Sequence, residues 1–136
     1  MKRFLTLLLV VSLLFSLTAC GGMDTDVAKE KIALFLDTLE SDQPEEAAAL
    51  MHPDYREENL QEFLDLLCEQ YGIKFSDGIR DRKQTGFHLS FYNSKVDGSL
   101  YEATYKASVS GKDVFLTITV VENDNGFGVA GLNVKA

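Results

Sequence analysis

The chain contains no tryptophan, two prolines, two cysteines and two histidines in 136 residues. Without tryptophan there is no indole cage, and with only Pro44 and Pro53 there is no proline-rich linker. Two cysteines, Cys20 and Cys68, allow one disulfide at most. The histidines, His52 and His88, stand outside any His-Glu-x-x-His pattern and have no cysteine pair to help them, so no zinc site is expected. Basic residues are outnumbered 13 to 21, for a net charge of −8. A phosphate backbone is repelled by that field, which disfavours nucleic acid as a partner. The acidic residues also lack the calcium-loop pattern. Aligning Gly126 to the loop glycine puts Val121 and Leu132 in ligand positions, and aligning Gly98 ends the loop on Thr104.

What remains is an ordinary globular composition, 46% apolar and 25% charged, in a length that suits one domain. The one long hydrophobic run is N-terminal. Lys2 and Arg3 precede an uncharged stretch from Phe4 to Leu17, and the small residues Thr18 and Ala19 lead to Cys20. A bilayer-spanning helix needs roughly 20 apolar residues, so this layout is that of a secretory signal peptide. Leu17-Thr18-Ala19-Cys20 resembles the bacterial lipobox. That resemblance implies cleavage after residue 19 and a diacylglycerol on the thiol of Cys20. It leaves a mature chain of 117 residues with 11 basic and 21 acidic side chains, a balance of −10. Cys20 is then a thioether, and Cys68 is the one free thiol. Residues 20–26 form a tether reaching at most about 20 Å, and 27–136 form a single domain.

Within that domain the hydrophobic period is first helical, then alternating. Ala28, Ile32, Phe35, Leu36 and Leu39 share one helical face. Asp42-Gln43-Pro44-Glu45 reads as the start of a short second helix, with Asp42 as cap. Asp54-Tyr55-Arg56-Glu57 reads as the start of a third, with Leu60, Phe63, Leu64, Leu67 and Tyr71 as its stripe and Gly72 as its stop. Its other face, Glu58, Glu62, Asp65 and Glu69, is solvated. From Phe87 on, alternation predicts strands in FHLSFYN and LYEATYKASV, β-branched content predicts one in DVFLTITVV, and GFGVAGLNVK makes a final strand, with Gly-, Asp- and Asn-bearing turns between them. Helices first and strands after give an α+β fold, with N-terminal helices packed on a curved four-stranded antiparallel meander sheet.

This element order, with the HPDYR turn and a helix ending near YGIKF, resembles the nuclear-transport-factor-2-like superfold. The early strand common in that superfold is missing, so the chain is also similar to the simpler cystatin-like helix-on-sheet arrangement. The superfold includes ketosteroid-isomerase-like enzymes, which need a desolvated carboxylate. Asp77, Asp81, Asp97, Asp113 and Asp124 instead fall in turns or polar runs. The pocket that the resemblance implies would be lined by Tyr92, Tyr101, Tyr105 and His88. His52, in a loop before Pro53, is expected to face solvent or a pocket rim, and Cys68 to be a buried, inert thiol. The reading is an exported lipoprotein, anchored by acylated Cys20 to the outer face of the cell membrane, or to the outer membrane in a two-membrane bacterium. Its domain is a non-enzymatic binding module for a small ligand or an envelope protein, with no catalytic residue and no cofactor. The alternatives are an isomerase- or dehydratase-like enzyme with a Tyr-lined pocket, and a structural spacer or inhibitor of an envelope hydrolase.

Overall fold

The computed structural model describes residues 23–136. The signal peptide and the lipidated Cys20 expected from the sequence lie outside the described residues. Helix α1 spans Thr25–Glu40, taking in two residues of the expected tether. Asp24 caps it, its carboxylate accepting from the backbone N–H of Asp26 (2.9 Å) and Val27 (3.4 Å). The face it buries is the one expected: Ala28, Ile32, Phe35, Leu36 and Leu39.

The sequence misplaces both later helix starts. Asp42 does not cap the second helix, α2 (Pro44–Ala49), whose N-cap is Gln43. Asp42 lies in the left-handed region (φ 54°) and ends α1. The N–H of Asp42 reaches Leu39 O and that of Gln43 reaches Thr38 O, the paired bonds of a Schellman stop. The third helix, α3, begins at Leu60, not near Asp54, and runs to Tyr71. Residues Pro53–Tyr55 form one 3-10 turn, after which the chain is extended at Arg56. Asn59 caps α3 by accepting from Glu62 N and donating to Glu62 Oε2. Gly72, left-handed at φ 62°, closes it as expected.

A second 3-10 turn, Phe75–Asp77, leads into strands β1 (Arg80–Asn93), β2 (Gly98–Val109), β3 (Lys112–Asn123) and β4 (Gly126–Lys135). They form one antiparallel sheet in the order β1-β2-β3-β4. The fold is α+β, with helices before a four-stranded meander. β1 starts seven residues before the expected Phe87 because Arg80 to Gly86 lies on an exposed edge, where burial imposes no alternation. The pairing of β1 with β2 is broken by register shifts at 80/83, 84/86 and 90/93.

The core lies between α1 and the inner sheet face, where Tyr101, Ala103, Ala107, Leu116, Ile118, Val120 and Val134 meet Ile32, Phe35 and Leu36. Arg82 on β1 ties the end of α1 to the sheet edge through Glu40 and, at 3.2 Å, Asp37. The two sheet edges differ. Along β4, the segment Leu50–His52 adds a short parallel bridge, with His52 N donating to Val129 O (2.8 Å) and Val129 N to Leu50 O (2.9 Å). Along β1, among the described residues, no strand pairs on the side away from β2.

Candidate functional site

The four residues expected to line a pocket fall on different parts of the sheet. Tyr101 is 1% exposed and packs in the core, its hydroxyl accepting from Gln84 Nε2 at 3.3 Å. Tyr105 is half-buried on the same inner face, and burial beside Tyr101 pushes its hydroxyl pKa up. Tyr92 is 68% exposed at the end of β1, where its hydroxyl is 3.4 Å from Asp97. His88 pairs with Glu102 and faces the opposite, outer side. The structure therefore brings Tyr101 and Tyr105 together beneath α1 and leaves His88 and Tyr92 apart from them.

A depression of about 570 Å³ occupies the outer face instead, across β2, β3 and β4. The pairing register explains its surface. One cross-strand row runs His88, Glu102, Thr119, Gly131; the next runs Gly86, Thr104, Thr117, Asn133; a third runs Lys106, Phe115, Lys135. Alternation sends all of these away from the helices. Thr104 and Thr117 share a hydroxyl hydrogen bond of 2.9 Å, and Thr119 donates to Glu102 Oε2 at 3.2 Å. At Gly131 there is open space within 4 Å of where a Cβ would stand. The result is an open polar floor with one aromatic, Phe115, 40% exposed at its margin. Sequence reading missed this site, although the alternation of Glu102, Thr104, Thr117 and Thr119 in two neighbouring strands was the signal for it.

The second polar assembly centres on His52, which is not solvent-facing as expected but 0% exposed. Its Nδ1 accepts the N–H of Asp54 (3.0 Å), so Nε2 carries the proton and donates to Asn123 Oδ1 (2.8 Å). Asn123 and Asn125 donate in turn to the Asp54 carboxylate at 3.0–3.2 Å. Those amides, Asn125 foremost, hold the Asp54 carboxyl below its ordinary pKa against the contrary effect of burial. Tyr55 stands edge-on to the imidazole at 5.6 Å. Every polar atom of the imidazole is thus committed within the protein. The assembly fastens the 50–54 segment to the β3–β4 hairpin, a structural role.

Two other titratable groups are perturbed. Burial pushes up the pKa of Glu122 and that of the half-buried Cys68 thiol, where Asp65 adds to the effect and a hydrogen bond with the Phe75 backbone opposes it. Cys68 is thereby kept in its less reactive thiol form. Among the described residues, no three His, Cys, Asp or Glu side chains gather as metal ligands, and no helix is long and apolar enough to cross a membrane. Compared with known proteins, the chain matches no family model, no curated protein and no solved structure.

Proposed function

We propose that this protein is an exported lipoprotein, held at the membrane by acylated Cys20, whose domain binds a polar ligand on the outer face of its sheet without catalysing a reaction. The observation that carries the binding reading is the outer-face depression. Its volume falls in the range of ligand sites, about 300–1,000 Å³. Hydroxyl, amide and carboxylate groups of Thr104, Thr117, Thr119, Asn133 and Glu102 converge there on an uncovered sheet, with the Phe115 ring to take an apolar face of the ligand. The LTAC sequence ahead of two glycines supports the anchor. One acyl chain holds a protein only marginally, whereas the two or three that lipobox chemistry supplies hold it stably. The element order keeps the nuclear-transport-factor-2-like and cystatin-like arrangements as the nearest architectural readings.

The anchor is tested by a Cys20→Ala variant in a bacterial host. It is expected to take up no labelled fatty acid and to run as the larger precursor that retains its leader; an unchanged membrane fraction at the processed size of wild type would refute the anchor. For the site, full-length protein extracted from the envelope is compared with Thr117→Arg, which places a long cation on the groove floor, by native mass spectrometry. Wild type is expected to carry a small-molecule adduct that the variant loses. An adduct of equal occupancy on both, or on neither, would sink the outer-face assignment.

A further inference from the structure

The free edge of β1 combines three features that the ligand groove does not use. Phe87, Phe91 and Tyr92 are 70%, 67% and 68% exposed, the three most exposed large apolar or aromatic side chains described. From Gln84 to Asn93 there is no Asp, Glu, Lys or Arg, in a chain that is one quarter charged. The ring of Phe87 stacks on buried Tyr101 at 6.2 Å, so the patch continues the core out to the sheet margin. Exposed edges are normally blunted with charge, as Arg80, Asp81, Arg82 and Lys83 do for the first part of this strand. The second part carries no such charge, and its irregularities, the register shifts at 84/86 and 90/93, lie at its two ends.

We propose that this half of β1 is a homodimer interface, in which two copies pair antiparallel edge to edge through Gly86 to Tyr92. The segment is complementary to itself. A two-fold axis at Leu89 sets Phe87 of one copy against Phe91 of the other, twice, and Leu89 against Leu89. In that register the charged quartet at 80–83 lies outside the apolar centre. Three aromatics about two-thirds exposed contribute roughly 300–500 Å² per copy, taking 150–250 Å² for each side chain. With the backbone edge added, this reaches the lower range of specific interfaces, the size of contact that forms and dissociates with concentration. The two-fold arrangement joins the two β1 edges to each other, so the contact closes on itself at two copies. At each outer end of the resulting eight-stranded sheet, β4 is bridged to its own chain around Val129. A second copy fits this edge better than a foreign strand because the segment supplies both halves of the aromatic contact. The inference is independent of the membrane anchor.

Sedimentation velocity of the full-length protein in neutral detergent tests it. Wild type is expected to show a concentration-dependent monomer–dimer equilibrium. Phe91→Lys should weaken it by at least about tenfold, with far-UV circular dichroism unchanged, since Phe91 is mostly solvent-exposed. Leu66→Lys, an equally exposed site on α3, should leave the equilibrium unchanged. A monomer throughout the micromolar range, species larger than dimers, a foreign peptide co-purifying on the edge, or equal effects of the two variants would each overturn it. Association through the lipid tails alone would ignore both substitutions, which also refutes the proposal.

Discussion

Replacing Gly128 with valine is expected to destabilise the domain by about 3 kcal/mol, at the upper end of the range for overpacked sites. Gly128 lies in β4 opposite Val121. A Cβ built on it would stand 2.5 Å from His52 N, 2.7 Å from the Met51 carbonyl carbon and 2.8 Å from Leu50 O. All three are backbone atoms, so no rotamer change relieves the overlap. The 50–52 segment must lift from β4, breaking its two hydrogen bonds to Val129 and uncovering His52. Urea denaturation measures the loss, and the melting temperature should fall by about 10 °C or more. Gly131→Val, on the same strand with open space at the Cβ position, should stay within about 0.5 kcal/mol of wild type. Similar losses for the two variants would show that β4 tolerates valine equally at both sites.

His52→Leu is expected to cost about 1 kcal/mol, chiefly by leaving the part-buried Asp54 N–H without its acceptor. Asn123 Oδ1 loses its imidazole donor but keeps the N–H of Asn125 (2.9 Å), so the damage falls mainly on one group. His52→Asn, whose amide oxygen can stand where Nδ1 stood, should recover part of the loss. If leucine and asparagine were equivalent, packing rather than hydrogen bonding would be the role of His52. Acid acts on the same assembly. The folded state lowers the Asp54 pKa, so its stabilisation is fully present above the ordinary aspartate pKa of the unfolded chain. It is lost as pH falls through the lower, folded value. Asp54→Asn should therefore flatten the acid limb of the stability–pH curve below that ordinary value, and leave the neutral-to-alkaline limb parallel to wild type.

The elements easiest to read from the sequence were those with one face buried along their whole length. The stripe of α1 is the buried set residue for residue, β2 alternates as its sequence predicts, and the β-branched run of β3 is a strand. The errors came where one signal served two structures. Asp42 and Asp54 both resemble helix caps, but Asp42 ends the helix before it, and the carboxylate of Asp54 is held by asparagines some 70 residues away. The first half of β1 carried no apolar alternation because neither of its faces is fully covered. His52 looked like loop surface because its partners, Asn123 and the Val129 backbone, lie beyond the reach of any local pattern. For the site, alternation places Tyr101 and Tyr105 on one face of one strand but does not give the depth to which the core covers them. Tyr101 consequently fills the core rather than lining a pocket.

The placement of the 50–54 segment also governs when the chain can finish folding. It is held by residues 123 to 129, and α1 packs on the last two strands. The closing contacts thus join the beginning of the domain to its final strand, and the entropy of closing that long loop is lost before any of them forms. Until β4 emerges, α1 has only part of its sheet and the His52 N–H has no acceptor. A nascent chain therefore lacks these closing contacts while nearly all of it is being made. On the proposed export route this delay is useful: the polypeptide can be threaded across the membrane before it has a compact structure to undo.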